Sequence, residues 1–268
     1  MLQALLVATV PAAALADSLA DERRWQAVLD AAGVSAVLAQ TDLLINQEIA
    51  NLKKTPLGFT STELQTLRQQ LLNHLGPEQL QADIIARLQQ ELNAQQQQNL
   101  QSLLHSPRTR FLHTLQAQLD DAVVREAMRS YKVQVNEKAP SNQRVELVTQ
   151  LDDSLQHTAL ETELKVELRK QLLAIVSEMK TDETVSESLL DAQLEQYRRD
   201  VEDGISRNAV YAYLYLFKRT PSPDVQALIT SYHNPDYLKF MTVCQNTLQD
   251  SFRAARQQML QDGRLAKQ

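Results

Sequence analysis

The sequence predicts an all-α protein built from helical hairpins. The chain has 268 residues with only 5 glycines and 8 prolines, while leucine, glutamine, alanine and glutamate are abundant. Straight-chain residues of these types lose little side-chain freedom in a helix. No segment shows the sustained alternation of β-branched and polar residues that is typical of a strand. A chain of this length can form one large domain or two small ones.

A corner motif that occurs twice predicts the hairpins. Residues 100–107 read LQSLLHSP and residues 228–235 read LITSYHNP, so each apolar run stops at His-x-Pro. The residue before a proline is pushed out of the helical conformation, and proline fits the first turn of the next helix. Ser106 and Asn234 are expected to cap that helix. The residues to which we assign a structural role in these corners are His105, Pro107, His233 and Pro235. Each histidine ring is expected to bond a carbonyl at the end of the preceding helix.

Apolar periodicity and capping signals place the helices in order along the chain. Gly33 stands where a left-handed glycine would end the first helix, and Thr60 with Glu63 has the spacing of a capping box. The expected helical segments are residues 18–32, 35–54, 60–75, 78–92, 95–105, 107–135, 144–151, 160–179, 189–217, 221–233 and 235–248. At the first corner we expect one buried apolar seam that consists of Leu100, Leu103, Leu104 and Phe111.

The chain is predicted to contain two related helical units. Residues 136–142 read NEKAPSN, which is the most linker-like stretch of the chain. The hydrophobic pattern before this linker recurs after it, with a period longer than those of the common solenoid repeats. We therefore expect duplicated multi-helix units at residues 17–139 and 140–268.

The first sixteen residues have the pattern of a secretory leader. Residues 5–16 are a short apolar run that ends in Ala14-Leu-Ala16, which is a small-x-small cleavage pattern, and the run is too short to span a bilayer. Residues 1–16 are therefore predicted to be a signal peptide, with a periplasmic mature protein that has no transmembrane span. Alternatively, the segment is the first helix of a cytoplasmic protein.

Charge and residue spacing argue against several classes of function. The formal net charge is -6, and Arg108 and Arg125 share their predicted helix with acidic residues, so we expect no nucleic-acid partner. No glycine-rich phosphate loop, Gly-x-Ser-x-Gly elbow or Cys-x-x-Cys pair is present. The histidines lack metal-ligand spacing, so no metal or cofactor is predicted. Cys244, the single cysteine, is expected to be a buried thiol.

The most aromatic segment is the one candidate for a contact surface. Tyrosines at every second position spread around a helix, so some of them could be exposed for binding. The alternative is a helix that is buried on all sides between the two units. The residues of the candidate binding patch are Tyr211, Tyr213, Tyr215, Tyr232 and His233.

The two corner motifs resemble those of an uncharacterised family of exported bacterial proteins, domain of unknown function 2059. This resemblance implies a helical periplasmic protein and no known activity. The function we expect is that of a binding or structural module with a protein or envelope partner. The alternative is a hydrolase-type enzyme whose site lies between the two units and uses Tyr213, His233 and acidic residues.

Overall fold

The computed structural model describes residues 12–181 and 186–265. Within these ranges every regular element is helical and no strand occurs, which confirms the all-α prediction. The described α-helices are α1 (Ala12–Ala31), α2 (Val34–Leu38), α3 (Thr41–Leu52), α4 (Ser61–Leu75), α5 (Pro77–Glu91), α6 (Ala94–Leu104), α7 (Pro107–Ala117), α8 (Ala122–Glu137), α9 (Asn142–Leu155), α10 (His157–Thr181), α11 (Glu187–Leu216), α12 (Ser222–Tyr232) and α13 (Pro235–Leu265).

Helix α10 lies at the centre of the bundle. Between residues 160 and 176 only positions 161, 165, 169 and 173 are half-buried, and all the others are buried. Helices α2, α3, α9, α11 and α13 pack around it. A helix that is covered on all sides is normally apolar, yet α10 also buries Glu163, Glu167 and Lys170. The packing of the whole bundle therefore has to accommodate these charges.

The two predicted units share one hydrophobic core. Helix α13 packs against α10 and also against α4, α5 and α6, and its Tyr237, Phe240 and Phe252 are fully buried. Polar contacts join the same helices, since the Ser251 hydroxyl donates to Asp83 over 2.7 Å. The helices that follow the linker therefore complete the core of those that precede it. The duplication and its boundaries stay a prediction.

Both corners have the predicted caps. Ser106 Oγ accepts a hydrogen bond from the backbone N–H of Thr109 at 3.3 Å, and Asn234 Oδ1 accepts from that of Asp236 at 2.8 Å. A hydroxyl three residues after each cap satisfies a carbonyl at a helix end. Thr109 Oγ1 donates to Leu103 O and Tyr237 Oη donates to Leu155 O, each over 2.9 Å. Pairing these carbonyls matters because the last carbonyls of a helix have no partner within it.

The two corner histidines differ in their contacts. His105 Nδ1 lies 2.8 Å from the carbonyl of Gln101, as predicted. His233 does not make the predicted bond, since its Nε2 lies 3.2 Å from the hydroxyl of Ser154. That hydroxyl donates its one hydrogen to the carbonyl of Gln150, so His233 Nε2 is the donor. The exposed ring of His233 therefore links the second corner to α9.

The prediction of one long helix over residues 107–135 is wrong. Helix α7 ends at Ala117, a 3₁₀ turn follows over Gln118–Asp120, and α8 begins at Ala122. Asp121 Oδ1 accepts from the backbone N–H of Val123 at 2.7 Å, so this side chain caps a new helix in place of continuing the old one. Arg108 and Arg125 consequently lie on different helices.

Two further expectations about helices are corrected. Phe111, predicted to lie in the buried seam of the first corner, is 46% exposed, and Leu112 takes the buried position. The predicted helix over residues 35–54 is divided into α2 and α3. The buried hydroxyl of Thr41 donates to Leu38 O over 2.7 Å at this break, which satisfies a carbonyl that α2 leaves unpaired.

Most of the predicted leader, residues 1–16, lies outside the described residues, and residues 12–16 begin α1. Within the described ranges no single helix is long and apolar enough to cross a membrane. The segments Ala20–Ala31 and Val34–Leu52, taken as one, have the length and apolar composition of a membrane span, but the chain bends by 79° between them.

Gly33 allows the end of α1 to approach the start of α10. Its φ is +75°, as the sequence predicts for a glycine at this helix end, and a Cβ placed there would lie 2.9 Å from Cε1 of His157. The ring of His157 contacts this backbone because its Nε2 lies 2.7 Å from the carbonyl of Ala32. Both the backbone conformation and the available space therefore require glycine.

We expect Gly33→Ala to destabilise the protein by about 2–3 kcal/mol, as the sum of left-handed strain and a displaced hydrogen bond. Gly58→Ala is the matched control, because Gly58 has a φ of +68° but no atom within 4 Å of an added Cβ. The control variant should be destabilised by the backbone strain alone, which is about 1 kcal/mol. Urea unfolding midpoints measure both variants, and equal losses would show that the His157 contact contributes nothing.

Candidate functional site

A charged cavity of about 560 Å³ lies between α10, α11 and α13. Its walls carry five carboxylates and three cationic side chains. The carboxylates are Glu163, Glu167, Glu187, Asp191 and Glu195. The cations are Lys170, Arg198 and Arg253. A pocket of this size that contains several ionisable groups is the usual place to look for a ligand or active site.

Lys170 is the central cation of the cavity. Its side chain is only 9% exposed, and its Nζ lies 2.7 Å from Asp191 Oδ1 and 2.8 Å from Glu187 Oε2. Burial opposes the charged ammonium, but the hydrogen bonds that it donates to Asp191 and Glu187 outweigh this effect and raise the pKa of Lys170. Arg256 Nη1 contacts the other oxygen of Glu187 at 2.7 Å. The start of α11 is thereby fixed to both α10 and α13.

Glu163 is fully engaged on the opposite wall. Its Oε2 lies 2.8 Å from Nη1 of Arg198, and its Oε1 accepts a hydrogen bond from the side-chain amide of Gln249. Because both carboxylate oxygens have partners, the charge of Glu163 is compensated without a ligand. This carboxylate serves to join α10 to α11 and α13.

Glu167 is the carboxylate of the cavity that is least compensated. It is 4% exposed, accepts a 3.0 Å hydrogen bond from Gln171 Nε2, and has Lys170 Nζ only at 3.9 Å. Burial raises its pKa, although the hydrogen bond from Gln171 and the charge of Lys170 act in the opposite direction. Burial disfavours the charged form of this carboxylate, so a further positive charge that enters the cavity would stabilise it.

The candidate aromatic patch is not one exposed surface. Tyr213 and Tyr232 are 5% and 1% exposed, so this part of the patch prediction is wrong. Tyr211 and Tyr215 are half-buried, and Tyr215 packs edge-on against Tyr131 of α8 with ring centroids 5.6 Å apart. Helix α8 covers this side of α11 and leaves little tyrosine surface free. Of the set, His233 alone is exposed.

The residues suggested for a hydrolase-type site are also separated by burial. The Tyr213 ring lies in the core, where burial raises the pKa of its phenol, whereas His233 lies on the surface beside Ser154. Cys244 is buried as predicted, and burial raises the pKa of its thiol well above its usual range. Such a thiol is not a reactive nucleophile. Among the described residues no group of three or more His, Cys, Asp or Glu is arranged to hold a metal ion.

The charged cavity was not identified from the sequence. Glu163, Glu167 and Lys170 have the spacing of one helix face, and such a face is usually solvated. The available signal was the density of apolar residues on the rest of the same helix, which leaves no broad solvent-facing side. The partners on α11 and α13 are distant in sequence, and no local pattern brings them together.

Comparisons with protein-family models, with characterised proteins and with solved structures found no match to this chain.

We expect Lys170→Met to destabilise the protein by about 2 kcal/mol, because it leaves Glu167 without a cation and removes one partner from Glu187 and Asp191. The loss is smaller than for a fully buried pair since the partners Glu187 and Asp191 are 40% and 60% exposed. Lys165→Met on the same helix is the control.

Lys165 pairs with Glu161 at 2.6 Å on the half-buried side of α10, so its loss should cost about 0.5 kcal/mol. Chemical denaturation of the two variants measures the difference. Similar midpoints would mean that the cavity network adds no more to stability than the Lys165–Glu161 pair does.

Proposed function

We propose that the chain is an exported helical binding module of the bacterial cell envelope, and that the charged cavity holds its ligand. The ligand class that fits best is a small organic cation with more than one amino group. Glu163, Glu187, Asp191 and Glu195 each have a cationic partner within 3 Å. Glu167 has its nearest cation at 3.9 Å, and this incomplete compensation is the observation that carries the proposal of a positive ligand.

The chemistry of such a ligand follows from the positions of the acidic groups. One ammonium can pair with the buried Glu167, where low solvent access strengthens the attraction. A second ammonium can pair with Asp191, which is 60% exposed and uses only Oδ1 for its contact with Lys170. Lys170 and Arg198 would hold their present carboxylates throughout, so the cavity needs little rearrangement when it binds.

The export part of the proposal is supported by the leader-like residues 1–16 and by the resemblance to the exported family. The hydrolase alternative has less support, because Tyr213 is buried in the core and His233 is exposed.

We expect the purified protein to bind putrescine or spermidine, and Glu167→Gln to weaken that binding by at least about tenfold, the effect of one lost charge-assisted hydrogen bond. The substituted amide can donate to Gln171 Oε1, a buried acceptor with no partner among the described residues, so the variant should fold. Isothermal titration calorimetry measures the binding. Glu146→Gln is the control, because Glu146 lines a different cavity between α9 and α12.

The folding of the Glu167→Gln variant can be checked through its pH dependence. Since the folded protein raises the pKa of Glu167 above the usual 4.5, its contribution to stability is largest below that value and declines as the pH rises through the folded pKa. The variant should therefore be at least as stable as the parent at pH 8. A stable variant that binds the polyamines as tightly as the parent does would contradict the proposed site.

Export predicts that intact-mass spectrometry of the periplasmic fraction from the native host finds a species that begins at Asp17. A full-length species confined to the cytoplasm would overturn this part of the proposal and leave the cavity chemistry to be judged by the titration alone.

A further inference from the structure

A second cavity, of about 450 Å³, lies between the start of α7 and the turn that joins α11 to α12. Its walls are mainly apolar and include Phe111, Phe217, Leu228 and the two prolines Pro107 and Pro221. Phe217 and Leu228 are buried at 1% and 3% exposure and belong to the core. The cavity is thus an opening in the apolar core at the first corner, and it differs in chemistry from the charged cavity.

Two arginines at this cavity have guanidinium charges that no neighbouring described side chain compensates. Arg108 in the first turn of α7 and Arg219 in the α11–α12 turn both line it and are both exposed. Among the residues that the structure describes, neither guanidinium has a hydrogen-bond or ion-pair partner. Asp224 is the single acidic side chain among the described residues of the lining. The cavity therefore carries an excess of one positive charge over an apolar interior.

The wall that holds Arg219 is rigidly supported from α9. Arg144 donates from Nη2 to the carbonyls of Phe217 and Thr220, the latter at 3.0 Å, and from Nη1 to Ser222 Oγ at 3.2 Å. One half-buried guanidinium group thus holds three acceptors of the turn. Opposite it, the Ser106 cap fixes the start of α7. A preformed cavity of this kind binds without the cost of ordering its walls.

Phe111 is exposed because its ring forms part of the wall of this cavity. The ring is 46% exposed and packs edge-on against Phe217, with centroids 6.4 Å apart and planes inclined by 62°. An exposed aromatic ring beside a buried one gives a ligand apolar surface to cover, which is a source of binding free energy. Leu112, the next residue, meanwhile anchors α7 in the core with 0% exposure.

We propose that this cavity binds a small apolar monocarboxylate. The apolar walls accept the hydrocarbon body, and the planar guanidinium groups of Arg108 and Arg219 match a carboxylate, which they can bind through paired hydrogen bonds. The net excess of one positive charge suits a single negative charge. The volume lies at the lower end of the range of about 300–1,000 Å³ that is typical of small-molecule sites.

The test uses octanoate, octan-1-ol and octylammonium, which share one chain and differ in the charge of the head group. We expect octanoate to bind the full chain with a Kd below about 1 mM, as ligands of this size can, and the other two to bind at least about tenfold more weakly. Isothermal titration calorimetry at low salt provides the constants. Binding that is equal for the alcohol and the carboxylate would overturn the proposal.

Charge variants of the cavity should shift octanoate affinity in opposite directions. Arg108→Gln and Arg219→Gln should each weaken it about fivefold or more, whereas Asp224→Asn should tighten it by roughly two- to fivefold, because it removes the opposing charge. Arg110→Gln is the control, since Arg110 lies on the same helix but not among the lining residues. Phe111→Ala should weaken octanoate and octan-1-ol alike.

All these positions except Phe111 are charged and exposed, so thermal unfolding should find the charge variants folded. No measurable octanoate binding, or affinity that is unchanged by both arginine substitutions, would refute the site. Glu167→Gln, in the charged cavity, should leave octanoate binding unaltered, so this inference and the proposed function can fail independently of each other.

Discussion

The burial of α10 on every side except one narrow, half-buried stripe is the constraint on which the rest of the structure depends. Five helices surround it, and the charges of Glu163, Glu167 and Lys170 cannot be left in an apolar interior without partners. Helices α11 and α13 supply partners for Lys170 and Glu163 through Glu187, Arg198 and Gln249. Glu167 contacts Gln171 and Lys170 of its own helix. The positions of both long helices are thus set by charge pairing as well as by apolar packing. The charged cavity is the space that remains among these pairs.

The two cavities lie at opposite ends of α11, which connects them as one continuous helix. The charged cavity uses residues 187–198 and the apolar cavity adjoins the C-terminal end near residue 217. At 1.5 Å per residue the two sites are roughly 35 Å apart. Their chemistries are complementary, one acidic and the other apolar with a positive rim. A module with two such sites could hold two different ligands at once, since neither shares a residue with the other.

The hairpin corners show how local sequence and distant contacts divide the task of ending a helix. Ser106, Pro107, Asn234 and Pro235 act on neighbouring backbone groups, so their roles follow from the sequence alone. The carbonyls left at the helix ends are satisfied by distant groups: Tyr237 serves the end of α9 and His157 serves the end of α1. The same difference explains why the expectation for His105 holds and that for His233 does not, since His233 finds a distant hydroxyl on α9.

The sequence by itself determined the all-α class, the two corners, the capping box at Thr60 and the glycine helix end at Gly33, because each depends on residues within one or two turns of helix. It also determined that Cys244 is buried, from the apolar residues around it. Only the tertiary structure decided that the helices before and after residues 136–142 share one core, that Tyr213 and Tyr232 are internal, and that Glu167 and Arg108 line cavities. These outcomes depend on contacts between helices distant in sequence, where the burial of one helix is fixed by the shape and charge of its neighbours.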